Sequence, residues 1–428
     1  MPRMQGNENS IRVLYSFPNK LGAQRICYTA WQQVIGLAAA GAKITVFTGG
    51  LLRPVPQEVI VHTTLARGRA RIPYKLIGSK RAMALHDYIV SKRLKAMVGK
   101  VDIIHTWPQG ALRTLKVAKK LGIPTVLERC NAHTRFAYEA VQKECQRLGV
   151  ALPPDHESAF NDDVLRKEEE EFRRAYLLLC PSEFVAKTFL ERGFSPDRLV
   201  RHIYGVDEKV YFPSPKSREA KRGLTMLFVG VCAVRKGVHY ALEAWLQSPA
   251  CQDGTFFIAG EFLPSYAKKL APLLSHPSVR VLGHRTDVPE LMRNSDILVL
   301  PSIEEGSALV TSEGRGSGCV LLVSEAAGAN CVHDENALVH SVGDVRTLSR
   351  QITMLHEDRV LLERLRITSL ATVPEITWAA AGLRLLQVYR ETIAHYPHGE
   401  DWIATNLGVQ VNTNSVSAVC SSNPHRPS

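Results

Sequence analysis

No apolar stretch in this sequence is long enough to cross a membrane. The longest weakly polar run, residues 34–42, has nine residues, against the ~20 that a spanning helix needs. Residues 1–10 are polar and lack the apolar centre of a secretory signal, so a cytoplasmic protein is expected. None of the nine cysteines is spaced as Cys-x-x-Cys and their number is odd, which excludes a disulfide framework and the common zinc and redox motifs. Several sit in apolar runs, such as residues 177–180 and 319–323, as reduced core thiols would. The fifteen histidines contain no His-Glu-x-x-His pattern, and no Asp-x-Asp occurs. No metal-ligand spacing is therefore visible.

Acidic residues are scarce in one place only. Residues 1–100 hold sixteen Lys and Arg against three Asp and Glu, while the rest of the chain holds thirty-seven against thirty-eight. The formal charge of +12 is therefore local. Residues 67–100 carry ten cations and one acid, Asp87. Arg67, Arg69, Arg71, Lys92, Arg93 and Lys95, with apolar residues between them, would suit the anionic face of a membrane. A merely solvated basic face is the alternative. Nucleic acid is not expected, since aromatics there are few and no recognition module is present.

What the 428 residues do contain is alternation. Short apolar runs at residues 11–16, 43–48, 102–105, 125–128 and 176–181 predict strands, separated by helical periods at 30–40, 83–98 and 112–121. A polar segment with proline and glycine follows at 214–223, and strand-like runs resume at 226–229, 255–259, 279–282, 297–300, 320–324 and 338–340. Strands separated by helices predict βαβ units and parallel sheets, hence two α/β halves with a cleft between them. Ligands of such sheets bind beyond the carboxyl ends of the strands.

Two turns in the second half carry chemistry. The turn after 226–229 runs from Gly230 to Arg235, Lys236 and Gly237 and opens a helix, a combination of cations and helix N-terminus that suits phosphate; exposed surface charge is the alternative. After 297–300 come Glu305, Gly306, Ser307 and Ala308, then a helix containing Glu313. Ser307 and Ala308 are expected to open that helix with free N–H groups. The two carboxylates could accept bonds from sugar or ribose hydroxyls, or serve only as capping and surface acids.

In this order, Arg235-Lys236-Gly237, the strand end Pro301-Ser302 and Glu305-x7-Glu313 resemble the donor-binding domain of the GT-B glycosyltransferases of family 4. Residues 283–291 resemble the family's nucleobase loop, with His284 and Arg285 near the base. Tyr204-Gly205-Val206-Asp207 and Phe212-Pro213 resemble its interdomain segment, and Trp378 the tryptophan before its last helix. The similarity spans about residues 10–395. Val231 stands where the family has arginine, and Tyr204 where it has asparagine.

The resemblance implies an α/β protein of two Rossmann-like domains facing across a cleft. Residues 1–205 would form the acceptor-side domain, 206–377 the nucleotide-sugar domain, 378–400 a helix crossing back, and 401–428 a disordered tail. It implies retaining transfer of a hexosyl group from a nucleotide-diphosphate sugar to a saccharide or lipid-linked acceptor, without a metal or other cofactor. Lys236 and Arg235 would hold the diphosphate, aided by Gly22 and the N–H groups of Gly306, Ser307 and Ala308. Glu305 would touch the donor sugar, Glu313 the ribose, and Arg285 the base. His133, in the loop after 125–128, would reach donor sugar or acceptor. A structural role is the alternative for His133, and is favoured for His105. A sugar-nucleotide epimerase and a non-catalytic nucleotide-binding module remain open on the same scaffold. A nicotinamide dehydrogenase is disfavoured, because the dense glycines at 314–318 precede a strand.

Overall fold

The computed structural model describes residues 10–67, 70–71, 74–214 and 223–397, without the side chains of 67–76. The side chains of Arg67, Arg69 and Arg71, residues 215–222 of the expected linker and the 401–428 tail lie outside the described residues.

Apolar runs buried on both faces favour parallel strands covered by helices. The first sheet contains β1 (Arg12–Leu21), β2 (Lys43–Leu51), β3 (Ile60–Thr63), β4 (Ile103–Thr106), β5 (Thr125–Glu128), β6 (Leu177–Cys180) and β7 (Leu199–Arg201). Their spatial order is β3-β2-β1-β4-β5-β6-β7, all parallel. The second contains β8 (Thr225–Val229), β9 (Thr255–Ala259), β10 (Val279–Gly283), β11 (Ile297–Leu300), β12 (Val320–Ser324) and β13 (Ala337–His340). It repeats the pattern as β10-β9-β8-β11-β12-β13. Both sheets reverse their winding beside the first strand, between β1 and β4 and between β8 and β11. That is where a doubly wound sheet opens a crevice.

β3 and β7 are the strands that periodicity did not mark. β3 is a largely exposed edge strand, and β7 has three residues at the opposite edge. Neither carries the apolar run that marks a central strand.

Helices α1 (Ile26–Ala39), α2 (Tyr74–Lys95), α3 (Leu112–Lys120), α4 (Thr134–Leu148), α5 (Asp162–Arg174) and α6 (Glu183–Leu190) accompany the first sheet. α7 (Val238–Leu246), α8 (Pro264–Leu274), α9 (Val288–Arg293), α10 (Leu309–Gly316), α11 (Val345–Glu357) and α12 (Arg359–Ala371) accompany the second. α4 also joins the halves. Its stripe Val141, Cys145 and Leu148 packs into the core of the second half. Glu144 on the same helix bonds His239 of α7 at 2.9 Å. Burial opposes its charge, but His239 and Arg147 hold its carboxyl down at about 2.

The last helix, α13 (Trp378–His395), packs on α1. Val206 donates its N–H to the Ile376 carbonyl at 2.8 Å, and Tyr204 stacks near Trp378. The Tyr204 hydroxyl donates to buried Glu128 at 2.8 Å. The tyrosine in place of asparagine thus supports a polar network that also holds His105, which bonds Tyr389 of α13 at 2.6 Å and faces Glu128 at 3.4 Å. His105 is fully buried and serves structure.

Close packing of α1 on α13 needs two glycines. A Cβ on Gly382 would lie 2.6 Å from the Cα of Gly36. Gly382→Ala is expected to cost about 1–3 kcal/mol through overpacking, and a urea melt with an unchanged midpoint would refute this contact.

Candidate functional site

The turn after β8 and the turn after β11 meet at the crevice of the second sheet. Gly237 makes the approach possible: with φ +67° it starts α7, and a Cβ there would lie 2.0 Å from the Pro301 carbonyl oxygen. Ile303 then donates its N–H to the Arg235 carbonyl at 2.8 Å, locking the turns together.

Adjacent Arg235 and Lys236 come into one cluster with Glu305, which stands 69 residues beyond Lys236. The Arg235 guanidinium lies 3.2 Å from Glu304 and 3.4 Å from Glu305, and the Lys236 ammonium is ion-paired with Glu305. Glu304 and Glu305 are buried. Burial opposes the charge of Glu305, but Arg235 and Lys236 hold its carboxyl below the ordinary value. Burial likewise opposes the charge of Arg235, and Glu305, Glu304 and Glu157 more than offset it, so its pKa is raised. The charges are held by one another, Arg235 and Lys236 being balanced by Glu304 and Glu305.

The cluster also touches the first half. Glu304 accepts from the Ala132 N–H at 2.9 Å, and the Ser182 hydroxyl donates to the Gly306 carbonyl at 2.6 Å. A Cβ on Gly306 would stand 1.7 Å from the Cys130 carbonyl oxygen. Glycine is therefore needed where the β11 turn meets the loop after β5.

Between the halves lies a cavity of about 510 Å³. Arg235 and Glu304 line it from the second half, and Trp107, Gln109, Arg129 and Asn131 line it from the first. Residues 154–159 and Asn161 line it as well. Neither the 107–110 loop nor 154–161 was marked from sequence. Trp107, Pro108, Gln109 and Gly110 directly follow the carboxyl end of β4, and that position was the available signal. Gln109 holds a left-handed φ of +65°, and its N–H donates to Glu171 at 2.6 Å. Strain of this kind concentrates at functional loops.

The other expected residues take no part in these ion pairs. α10 begins at Leu309 rather than Ser307, and the Ala308 N–H is already donated to the Ala327 carbonyl at 3.3 Å, so it is not free for a phosphate. Glu313 lies on α10, hydrogen-bonded by the Tyr211 hydroxyl; burial raises its carboxyl to about 7 in spite of that bond. Gly314 and Gly316 on the same helix are explained by packing: a Cβ would meet Leu298 at 2.6 Å and the Tyr211 carbonyl at 2.9 Å, respectively. Gly22 faces Arg53, whose guanidinium donates to the Gly22 carbonyl at 3.0 Å. Arg285 is exposed and hooked onto Asp287 at 2.8 Å. Val231 is 41% exposed.

His133 is not brought to the cluster. It caps α4, accepting from the Arg135 N–H at 3.3 Å, and its ring packs on Phe172 and Phe189. Burial and then the surrounding arginines lower its pKa to about 3, and it lines a second cavity that shares no lining residue with the cleft. Its apolar surroundings pull the ring behind the loop that sequence order placed in front.

The raised Glu313 makes stability depend on pH. Its folded carboxyl keeps a proton that the unfolded one loses near its ordinary value, so stability falls from about pH 4.5 towards 7. Glu313→Gln is expected to remove that fall and raise stability at pH 8 by roughly 3 kcal/mol. Parallel melts at pH 5 and pH 8 check it, and an unchanged pH slope would refute it.

Among the described residues, no helix is long and apolar enough to cross a membrane. Two sequence families match the chain. A model described as Glycosyltransferase Family 4 matches residues 28–209, and one described as Glycosyl transferases group 1 matches residues 223–358. No curated protein matches. Among solved structures, sucrose-phosphate synthase from Thermosynechococcus elongatus has a TM-score of 0.65 at 18% identity, over 90% of this chain and 100% of its own. Anabaena HepE, solved with UDP-glucose, has a TM-score of 0.60 at 17% identity, over 90% and 99%. The lipopolysaccharide outer core galactosyltransferase WaaB has 0.62 at 13%, over 90% and 99%. The paired sheets with their reversed winding are thus the GT-B fold, and with the two family matches spanning most of its length the chain belongs to the family 4 glycosyltransferases.

Proposed function

We propose that this glycosyltransferase moves a hexosyl group, with retention, from a nucleotide-diphosphate sugar to a saccharide or lipid-linked acceptor in the cleft. The observation that carries the reading is the cluster of half-buried Arg235 and Lys236 on buried Glu305 at the crevice of the second sheet. The similarity to HepE, solved with UDP-glucose, supports a nucleotide sugar as donor.

In this reading the donor diphosphate displaces the Glu305 carboxylate from the Lys236 ammonium. Glu305 then turns to the hydroxyls of the donor sugar. The bond from the anomeric carbon to the diphosphate breaks, and fixed cations stabilise the negative charge as it grows on the leaving group. The acceptor oxygen bonds the anomeric carbon, and its proton leaves with the diphosphate. Glu313 accepts from the ribose hydroxyls in its ionised form. His133 has no part in the step, because its ring belongs to the other cavity. Carboxylates, amides and an indole on the first half suit a polyhydroxylated acceptor.

Thermal shift against UDP, GDP, ADP and their sugars tests the donor assignment. A ligand at a hundred times its Kd is expected to add about 2.7 kcal/mol. No shift with any of them would remove the reading, and turnover of donor alone to an epimerised sugar would favour the epimerase instead.

Lys92, Arg93 and Lys95 are exposed on α2, with Tyr88 beside Lys92. We place the acceptor side of the enzyme on an anionic membrane surface through this face. Anionic vesicles are expected to retain the protein at low salt and release it at high salt. Equal flotation with neutral vesicles would refute that.

A further inference from the structure

The second cavity has chemistry that the transfer reaction leaves unused. It encloses about 570 Å³ on the far side of α4 and α5 from the cleft. The cleft touches Thr134, Ala137, Tyr138 and Glu168 of these helices; this cavity touches Arg135, Glu169 and Arg173. Four arginines line it, Arg135, Arg173, Arg192 and Arg198, with one carboxylate, Glu169. The lining therefore stays cationic even when Glu139 and Glu170, which flank Arg192 and Arg173, are counted.

Three of the four guanidiniums, those of Arg198, Arg192 and Arg135, are held by protein partners. Arg198 donates to the Phe172 carbonyl at 2.7 Å and the Ala175 carbonyl at 2.6 Å, the end of α5. Arg192 is held by Glu139 at 2.9 Å and lies over the Phe136 ring. Arg135 sits 2.9 Å from Glu169, and Arg173, at 3.9 Å from the same carboxylate, has donors to spare. The floor is aromatic, His133 and Phe194, and the Ser195 hydroxyl caps no backbone N–H. His133 accepts at Nδ1 from the Arg135 N–H, so the neutral ring carries its proton on Nε2, which has no hydrogen-bond partner among the described residues.

We infer that this cavity is a binding site for a phosphate monoester, separate from the donor site. Planar guanidinium forks match phosphate oxygens in pairs, an imidazole N–H and a hydroxyl complete the donor set, and the rings leave room for an attached sugar or glycerol. The phosphate comes either on a soluble sugar phosphate or on a lipid headgroup. The inference does not depend on the donor assignment.

The test uses the full chain carrying Lys236→Ala, which weakens the cleft's own hold on phosphate. Calorimetric titration with inorganic phosphate and with glucose 6-phosphate is expected to show binding. Adding R135Q and R173Q together is expected to weaken it about tenfold or more, since each loses a charge-assisted fork. Both side chains are about half exposed, so the fold should survive. Ser195→Asp, which disturbs no bond, places a carboxylate in the cavity and should weaken binding as much. Vesicles of phosphatidylcholine with phosphatidic acid, compared with phosphatidylglycerol at high salt, separate the sources. Preference for phosphatidic acid that these variants abolish assigns the headgroup, and titration without such preference assigns the soluble ester. Binding indifferent to all three substitutions, or no binding of either soluble probe or vesicle, overturns the site.

Discussion

Lys236→Ala is expected to lower transfer by roughly a hundred- to a thousandfold, the loss seen when one preorganised donor to a developing anion is removed. The Lys236 ammonium is the cation already paired with Glu305, beside Arg235. Its removal leaves Glu305 with Arg235 as partner, so the buried carboxylate keeps a counter-charge and the fold should persist. Nucleotide affinity should weaken together with turnover, because the ammonium acts on the diphosphate before and during departure. Single-turnover rates and calorimetric titration measure both. A variant that transfers at the wild-type rate would remove Lys236 from the diphosphate site.

Gly306→Ala carries the second large effect, and it comes from one methyl group. The new Cβ would stand 1.7 Å from the Cys130 carbonyl oxygen and 2.4 Å from its carbon, both backbone atoms that no rotamer change can move. One loop must retreat, and the bonds from Ala132 to Glu304 and from Ser182 to Gly306 must stretch with it. Stability is expected to fall by about 1–3 kcal/mol. Transfer should fall about a hundredfold or more, since a displacement near 1 Å at a reacting centre can cost that much. Thermal melts and steady-state kinetics check the pair. A variant unchanged in both would show that the two loops do not close on each other in solution.

The two effects separate the roles of the halves. Lys236 acts within the second half, and its loss should be felt with nucleotide alone. Gly306 acts between the halves, and its loss should be felt most when donor and acceptor must meet.

Much of the scaffold was legible without coordinates. Central strands such as β12 are continuous apolar runs because they are buried on both faces, and that burial is written in residue type. The edge strands of the first sheet were not legible, since β3 leaves most of its side chains in water and β7 has only three residues. Lys236 and Glu305 were each marked in a turn that directly succeeds a strand, but their ion pair was not, because only the strand order sets those two turns side by side. The α4 stripe was periodic, yet nothing local says that Val141, Cys145 and Leu148 join the core of the other half.

Composition and order alone determined the parallel α/β halves, the turns that carry charge and the local nature of the basic excess, because strand burial, turn chemistry and net charge are properties of neighbouring residues. Only the tertiary structure decided that His133 turns into a ring of phenylalanines and arginines, that Ala308 gives its N–H to Ala327, and that Gly306 meets Cys130. Those outcomes depend on which distant surface each side chain or amide meets, and burial against that surface outweighs the preference of the residue itself.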